Sequence, residues 1–227
     1  LTTGNNNTAL GYVALSTAAT GASNTAIGVA ALQNSTVSNG TAVGAFALQV
    51  NTTGVDNTGV GVNALAKNTS AAQNTAVGVR SMEDTTTGAD NTAIGWGSFT
   101  QNTTGSNNTA LGRSALATDT KGNTSVAVGG SALATQNFTS ATNANNTAVG
   151  FHAGVSVTTG TGNTLVGTQA GDALTTGDSN IALGYLNDFS AVGVDGEFVI
   201  GAGVQGSGAS TITIGSGAGK ISNTFTS

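Results

Sequence analysis

The sequence predicts an all-β protein, a parallel β-solenoid (a β-roll) of about thirteen short coils. Three observations carry that prediction. A five-residue phrase, Asn-Thr-Ala-aliphatic-Gly, begins at Asn7, Asn24, Asn74, Asn91, Asn108 and Asn146, and weaker copies fill the gaps between them. The glycine that closes it stands at Gly11, Gly28, Gly44, Gly61, Gly78, Gly95, Gly112, Gly129, Gly150, Gly167, Gly184, Gly201 and Gly215. Most of these marks are 17 residues apart, with single steps of 16, 21 and 14. Lastly, each unit holds two short apolar segments separated by turns, as at Ala76-Val77 and Ser81-Met82, too short for helices that need repeated i, i+3, i+4 positions.

Each part of the unit has a predicted role. Thr-Ala-aliphatic reads as a strand, being β-prone and bounded by Asn and Gly. The later Ala-Leu pair reads as a second short strand. Its column holds Leu15, Leu32, Leu48, Leu65, Met82, Phe99, Leu116 and Leu133. Glycines closing Thr-Thr-Gly (Gly4, Gly54, Gly88, Gly105, Gly177) are expected to supply positive φ at a turn. The leading Asn is expected to bond its own turn backbone, and stacked Asn side chains to bond one another. Regular coils run through residues 1–134, a 21-residue step inserts a loop at 135–145, and less regular coils continue over 146–227. Leu1 enters the repeat mid-unit, as expected of a piece of a longer protein.

Adjacent residues of a strand face opposite sides. Ala and its aliphatic neighbour therefore cannot both point inward, and one column must form an apolar stripe outside the coil. The Ala-Leu pair invites the same reading. A stripe of that kind marks an interface, so the sequence predicts an obligate oligomer.

Composition excludes several classes. Charged residues are 7% of the 227, the net charge is −5, and Lys and Arg total five, which leaves no basic stripe to neutralise nucleic-acid phosphates. Cysteine is absent, removing disulfides and thiolate metal sites. No apolar run reaches the ~20 residues that span a bilayer. No nucleophile elbow, phosphate loop or paired carboxylates occur, and the glycines follow the coil period, so no catalytic, cofactor or metal residues are expected and the protein reads as non-enzymatic. His152 has no acidic partner at a catalytic spacing and reads as a surface residue. Asp84, Asp90, Asp119, Asp172, Asp178, Asp188 and Asp195 fall in turns without a calcium-loop pattern.

Asn123-Thr-Ser-Val-Ala-Val-Gly129 followed by Ser131-Ala-Leu resembles the head repeat of trimeric autotransporter adhesins. The 17-residue form with Thr-Thr-Gly resembles repeats of bacteriophage tail-fibre proteins. The resemblance covers about residues 5–215 and departs from adhesin heads in coil length. It implies a left-handed roll assembled as a homotrimer, an extracellular place on a virion tail fibre or cell surface, and attachment to a host through a glycan or protein receptor. Candidate recognition residues are Tyr12, Trp96, Arg113, Phe151 and Tyr185, one residue past the marking glycine, and Phe138 in the inserted loop. Aromatics there can stack on sugars, or pack over a turn or a neighbouring subunit. A purely structural filament and an ice-binding solenoid, the latter suggested by the Thr8, Thr25, Thr58, Thr75 column, are the competing functions.

Overall fold

From Gly11 to Gly201 each coil turns on its marking glycine, which has positive φ; Gly215 lies within a strand and does not. Gly28, Gly44, Gly61, Gly78 and Gly95 hold φ between 131 and 136°, a region that L side chains rarely enter. The next coil also runs directly against them: a Cβ on Gly95 would stand 2.5 Å from the carbonyl oxygen of Gly112. Both reasons exclude any other residue, and together they set the period.

The computed structural model describes residues 4–17, 20–216 and 219–224, so Leu1 lies outside it. The chain is an all-β parallel solenoid of about 12 turns with a period near 17 residues, the thirteen marks delimiting those turns. It forms two compact units, Leu1–Arg113 and Ser114–Ser227.

The first unit carries β1 (Thr8–Leu10), β2 (Thr25–Ile27), β3 (Thr41–Val43), β4 (Thr58–Val60), β5 (Thr75–Val77), β6 (Thr92–Ile94) and β7 (Thr109–Leu111). Each pairs in parallel with the next, Thr on Thr, Ala on Ala and aliphatic on aliphatic, Gly59 standing in for Ala in β4. From β2 to β7 the central residue is fully buried while its two neighbours face out. Thr and the aliphatic residue therefore share the outer face, and the Ala between them lies in the core.

The second apolar segment is not a strand. It is a chain of turns with positive φ at every second residue, as at Ala30 (56°) and Leu32 (47°), or Arg80 (60°) and Met82 (52°). A left-handed residue costs about 1–2 kcal/mol, and the leucine recovers a similar amount by burial, about 2 kcal/mol. Leu32 N–H also donates to Ala47 O of the next coil at 3.0 Å. In this conformation consecutive residues no longer face opposite sides: Ala31 and Leu32, Ala47 and Leu48, and Ala64 and Leu65 are all fully buried. The stripe expected from this pair does not exist, because the alternation that predicts it belongs to strands.

The Thr-Thr-Gly glycines are likewise required for a different reason from the one predicted. Gly54, Gly88 and Gly177 do not have positive φ; residues two positions on, Asp56 (58°), Asp90 (58°) and Ser179 (60°), make the left-handed corner instead. Glycine is needed because a Cβ on Gly54 would lie 2.0 Å from Ala71 O, and one on Gly88 2.2 Å from Gly105 O.

Inside the corner runs a ladder of buried asparagines. Asn74 Oδ1 accepts the backbone N–H of Asn91 at 2.9 Å, and Asn74 Nδ2 donates to Gly88 O of the next coil at 2.9 Å. Asn91 repeats the pattern toward Asn108 and Gly105. The amides thus bond the following coil's corner, fourteen residues on, and also one another, as Asn91 Nδ2 does to Asn74 Oδ1 at 3.1 Å. A second column, Asn51, Asn68 and Asn102, does bond its own turn, three residues ahead. Asn51 and Asn102 head the sequons of the repeat, and both are buried.

The second unit has β9 (Val126–Val128), β11 (Thr147–Val149), β12 (Thr164–Val166), β13 (Ile181–Leu183), β14 (Phe198–Ala202) and β15 (Thr211–Ser216) in parallel register. β16 (Gly219–Thr224) then pairs antiparallel with β15. The 21-residue step accommodates its extra chain as a side ladder, β8 (Gly122–Asn123) against β10 (Thr142–Asn143). Core volume is exchanged between strand and turn here. Leu165 replaces the strand alanine, and Gly154 and Gly171 replace turn leucines; a Cβ on Gly154 would meet Leu165 Cδ1 at 2.5 Å. On Gly171 it would meet Leu165 Cδ2 and Phe189 Cε2, each at 2.8 Å.

Three substitutions test these constraints by thermal and urea unfolding. Gly95→Ala is expected to lose at least about 3 kcal/mol, the upper range for a strained residue with backbone contact added, whereas Gly219→Ala, with open space around it, changes little. Asn74→Ala is expected to cost about 2–4 kcal/mol, since it strands a buried N–H and a buried carbonyl at once.

Candidate functional site

Because the strand alanines turn inward, their aliphatic neighbours form an outer column. In the first unit it runs through Leu10, Ile27, Val43, Val60, Val77, Ile94 and Leu111, with Leu10, Ile94 and Leu111 the most exposed. Beside it, one residue past the marking glycine, stand Tyr12, Val29, Val62, Val79 and Trp96, all exposed. Phe46 adds an exposed ring one position further on. These apolar side chains recur at the same positions coil after coil, and a repeated exposed apolar column of this kind marks an interface. Charged residues are few beside it. Lys67 pairs with Asp84 at 2.7 Å and Arg80 with Glu83 at 2.5 Å, the cations exposed and the carboxylates partly buried.

The structure brings two of the predicted recognition residues together. Trp96 and Arg113 occupy equivalent positions on successive coils, and the guanidinium carbon of Arg113 lies 5.2 Å from the indole centroid. Tyr12 stands far along the same unit, strongly exposed. In the second unit Phe151 is exposed and stacks on His152, ring centroids 3.9 Å apart and planes 15° from parallel. Tyr185 is exposed two coils on. Phe138 is the exception. It is 6% exposed, its N–H donates to Asp119 Oδ1 and its carbonyl accepts from Thr120 Oγ1, so it is part of the loop's own core and offers no ring to a partner.

Val29, Val62, Val79, Phe46 and Leu186 belong to the exposed surface but were not candidates from the sequence. For the valines the signal was present in the period, since their column, one residue past the marking glycine, carries the aromatic candidates. It was masked because isolated valines are unremarkable until the coil brings them into line.

Asp119 anchors the inserted loop from within. It takes the place of the buried asparagines of the second column and accepts from Gly122 N–H (2.9 Å), Phe138 N–H (3.3 Å) and Gln136 Nε2 (2.6 Å). Burial pushes its carboxyl above the ordinary range, only partly countered by those donors. Asp188 is raised as well, again chiefly by burial, with Asp172 and Glu197 adding repulsion. Among the described residues no three His, Asp or Glu side chains are grouped to hold a metal ion.

Family models, curated proteins and solved structures were each compared with the chain, and none matches.

A carboxyl raised on folding is protonated more readily in the native state, so stability falls as pH rises through the raised value. The second unit is therefore expected to unfold at a higher temperature near the ordinary carboxylate value than at neutral pH. Circular dichroism melts check this, and the difference should shrink in an Asp188→Asn variant.

Proposed function

We propose that this chain is a non-enzymatic fibre segment that assembles as a homotrimer outside the cell, on a virion tail fibre or a cell surface, and serves attachment to a host. The observation that carries this reading is the outer aliphatic column. An apolar stripe at every coil has no role in the core, yet the repeat retains it from Leu10 to Ile214. Covering it with further copies removes it from water. The three-fold order and the left-handed sense rest on the resemblance to adhesin heads and tail-fibre repeats. A glycan or protein receptor would meet the aromatic positions that the assembled stripe leaves open.

Light scattering coupled to size exclusion tests the assembly. The expected mass is three times 21.8 kDa, and the double substitution Val77→Lys, Ile94→Lys is expected to release folded monomers by placing charge on the stripe. A wild-type chain that is folded and monomeric at micromolar concentration would overturn the proposal.

A further inference from the structure

We infer that Trp96 and Arg113 form a binding site for an anionic pyranose, the repeating unit of an acidic cell-surface polysaccharide. The inference deepens the attachment reading above and rests on it for its biological setting, but the site stands on its own geometry. The first unit holds three cations, Lys67, Arg80 and Arg113, against four carboxylates, Asp56, Glu83, Asp84 and Asp90. Two of the cations are neutralised, Lys67 by Asp84 and Arg80 by Glu83, and Asp56 accepts an amide hydrogen from Asn39. Among the described residues Arg113 meets no carboxylate within ion-pair distance. It is exposed and lies instead over the Trp96 ring, 5.2 Å from its centroid.

That placement is suited to a ligand with one charged and one apolar face. A guanidinium resting on an indole gains about 0.5–1 kcal/mol from the ring at an exposed site. It also loses less freedom when it takes up a partner, because its fork is already held. A carboxylate or sulfate ester can then accept two parallel N–H bonds from it. The indole, half exposed at 51%, offers flat apolar surface for the C–H face of the same sugar. No comparable cation accompanies Tyr12, and Phe151 stacks on an imidazole, which lacks the two-pronged fork of a guanidinium. Charge complementarity and the aromatic surface coincide at this one place in the first unit.

Trp96 is the single tryptophan of the chain, so intrinsic fluorescence reports this site alone. The intact protein is titrated with polygalacturonate, with dextran sulfate and with neutral dextran. A saturable change in emission is expected with an anionic polymer and not with dextran; the two anionic arms separate a carboxylate-bearing from a sulfated ligand. Arg113→Gln, which leaves the fold's glycine and asparagine ladders intact, is expected to weaken binding at least ten-fold with an unchanged melting temperature. A flat titration with both anionic polymers, an equal response to dextran, or undiminished binding by Arg113→Gln would overturn the inference. So would emission from the free protein that iodide and acrylamide cannot quench, since that places Trp96 inside a subunit contact. A monomeric mass would remove the trimer proposal while leaving these titrations valid, so the two failures are distinguishable.

Discussion

The close approach of backbone to backbone between successive coils governs everything else in this chain. Where Gly78 faces Gly95 and Gly54 faces Ala71, the space left for a side chain is zero, and the inter-coil bonds at 2.7–3.0 Å depend on that proximity. The glycines are therefore structural in two senses at once, by torsion at the marking positions and by clearance at the corners. With the backbone fixed, the side chains have few choices. Alanine is what fits inside a three-residue strand opposite a leucine, and asparagine is the small residue able both to accept a backbone N–H and to donate to a carbonyl one coil on. Uniformity follows from contact with an identical neighbour, as in other stacked repeats.

Much of this was legible in the chain because a period exposes columns. The strand at Thr-Ala-aliphatic follows from its residue types, its stacking from the period, and an apolar column outside the coil from alternation; which of the two residues forms that column had to come from the structure. What escaped was wherever the backbone left the extended region. Leucine is a poor candidate for a left-handed conformation, so nothing at Leu32 or Leu48 announces that both it and the preceding alanine are buried. Gly54 and Gly95 look alike in sequence, yet only one has positive φ. Steric exclusion by a residue 17 positions away leaves the same letter as torsional necessity.

The candidate site was legible in part. Trp96 and Arg113 fall in one column by counting alone, and the period places them on successive coils. Their contact could not be counted, because it depends on rotamers that bring a guanidinium over a ring. Phe138 shows the converse. An aromatic in a polar insertion looks like a displayed residue, but the insertion has to supply its own core, and the Asp119 carboxylate and the Thr120 hydroxyl draw its backbone inward.

The exchange of volume around Leu165 has a consequence for how the chain finds its register. A stack of near-identical coils is degenerate: sliding one segment past another by a whole repeat restores nearly every hydrogen bond and every apolar contact. Such a slip would place Leu165 opposite turn leucines instead of Gly154 and Gly171, and Phe189 against a filled interior. The irregular coils of the second unit act as a key cut into an otherwise uniform edge. They make the correct alignment the one arrangement in which large and small residues interlock, so the least repetitive stretch is what allows the repetitive remainder to be read in a single frame.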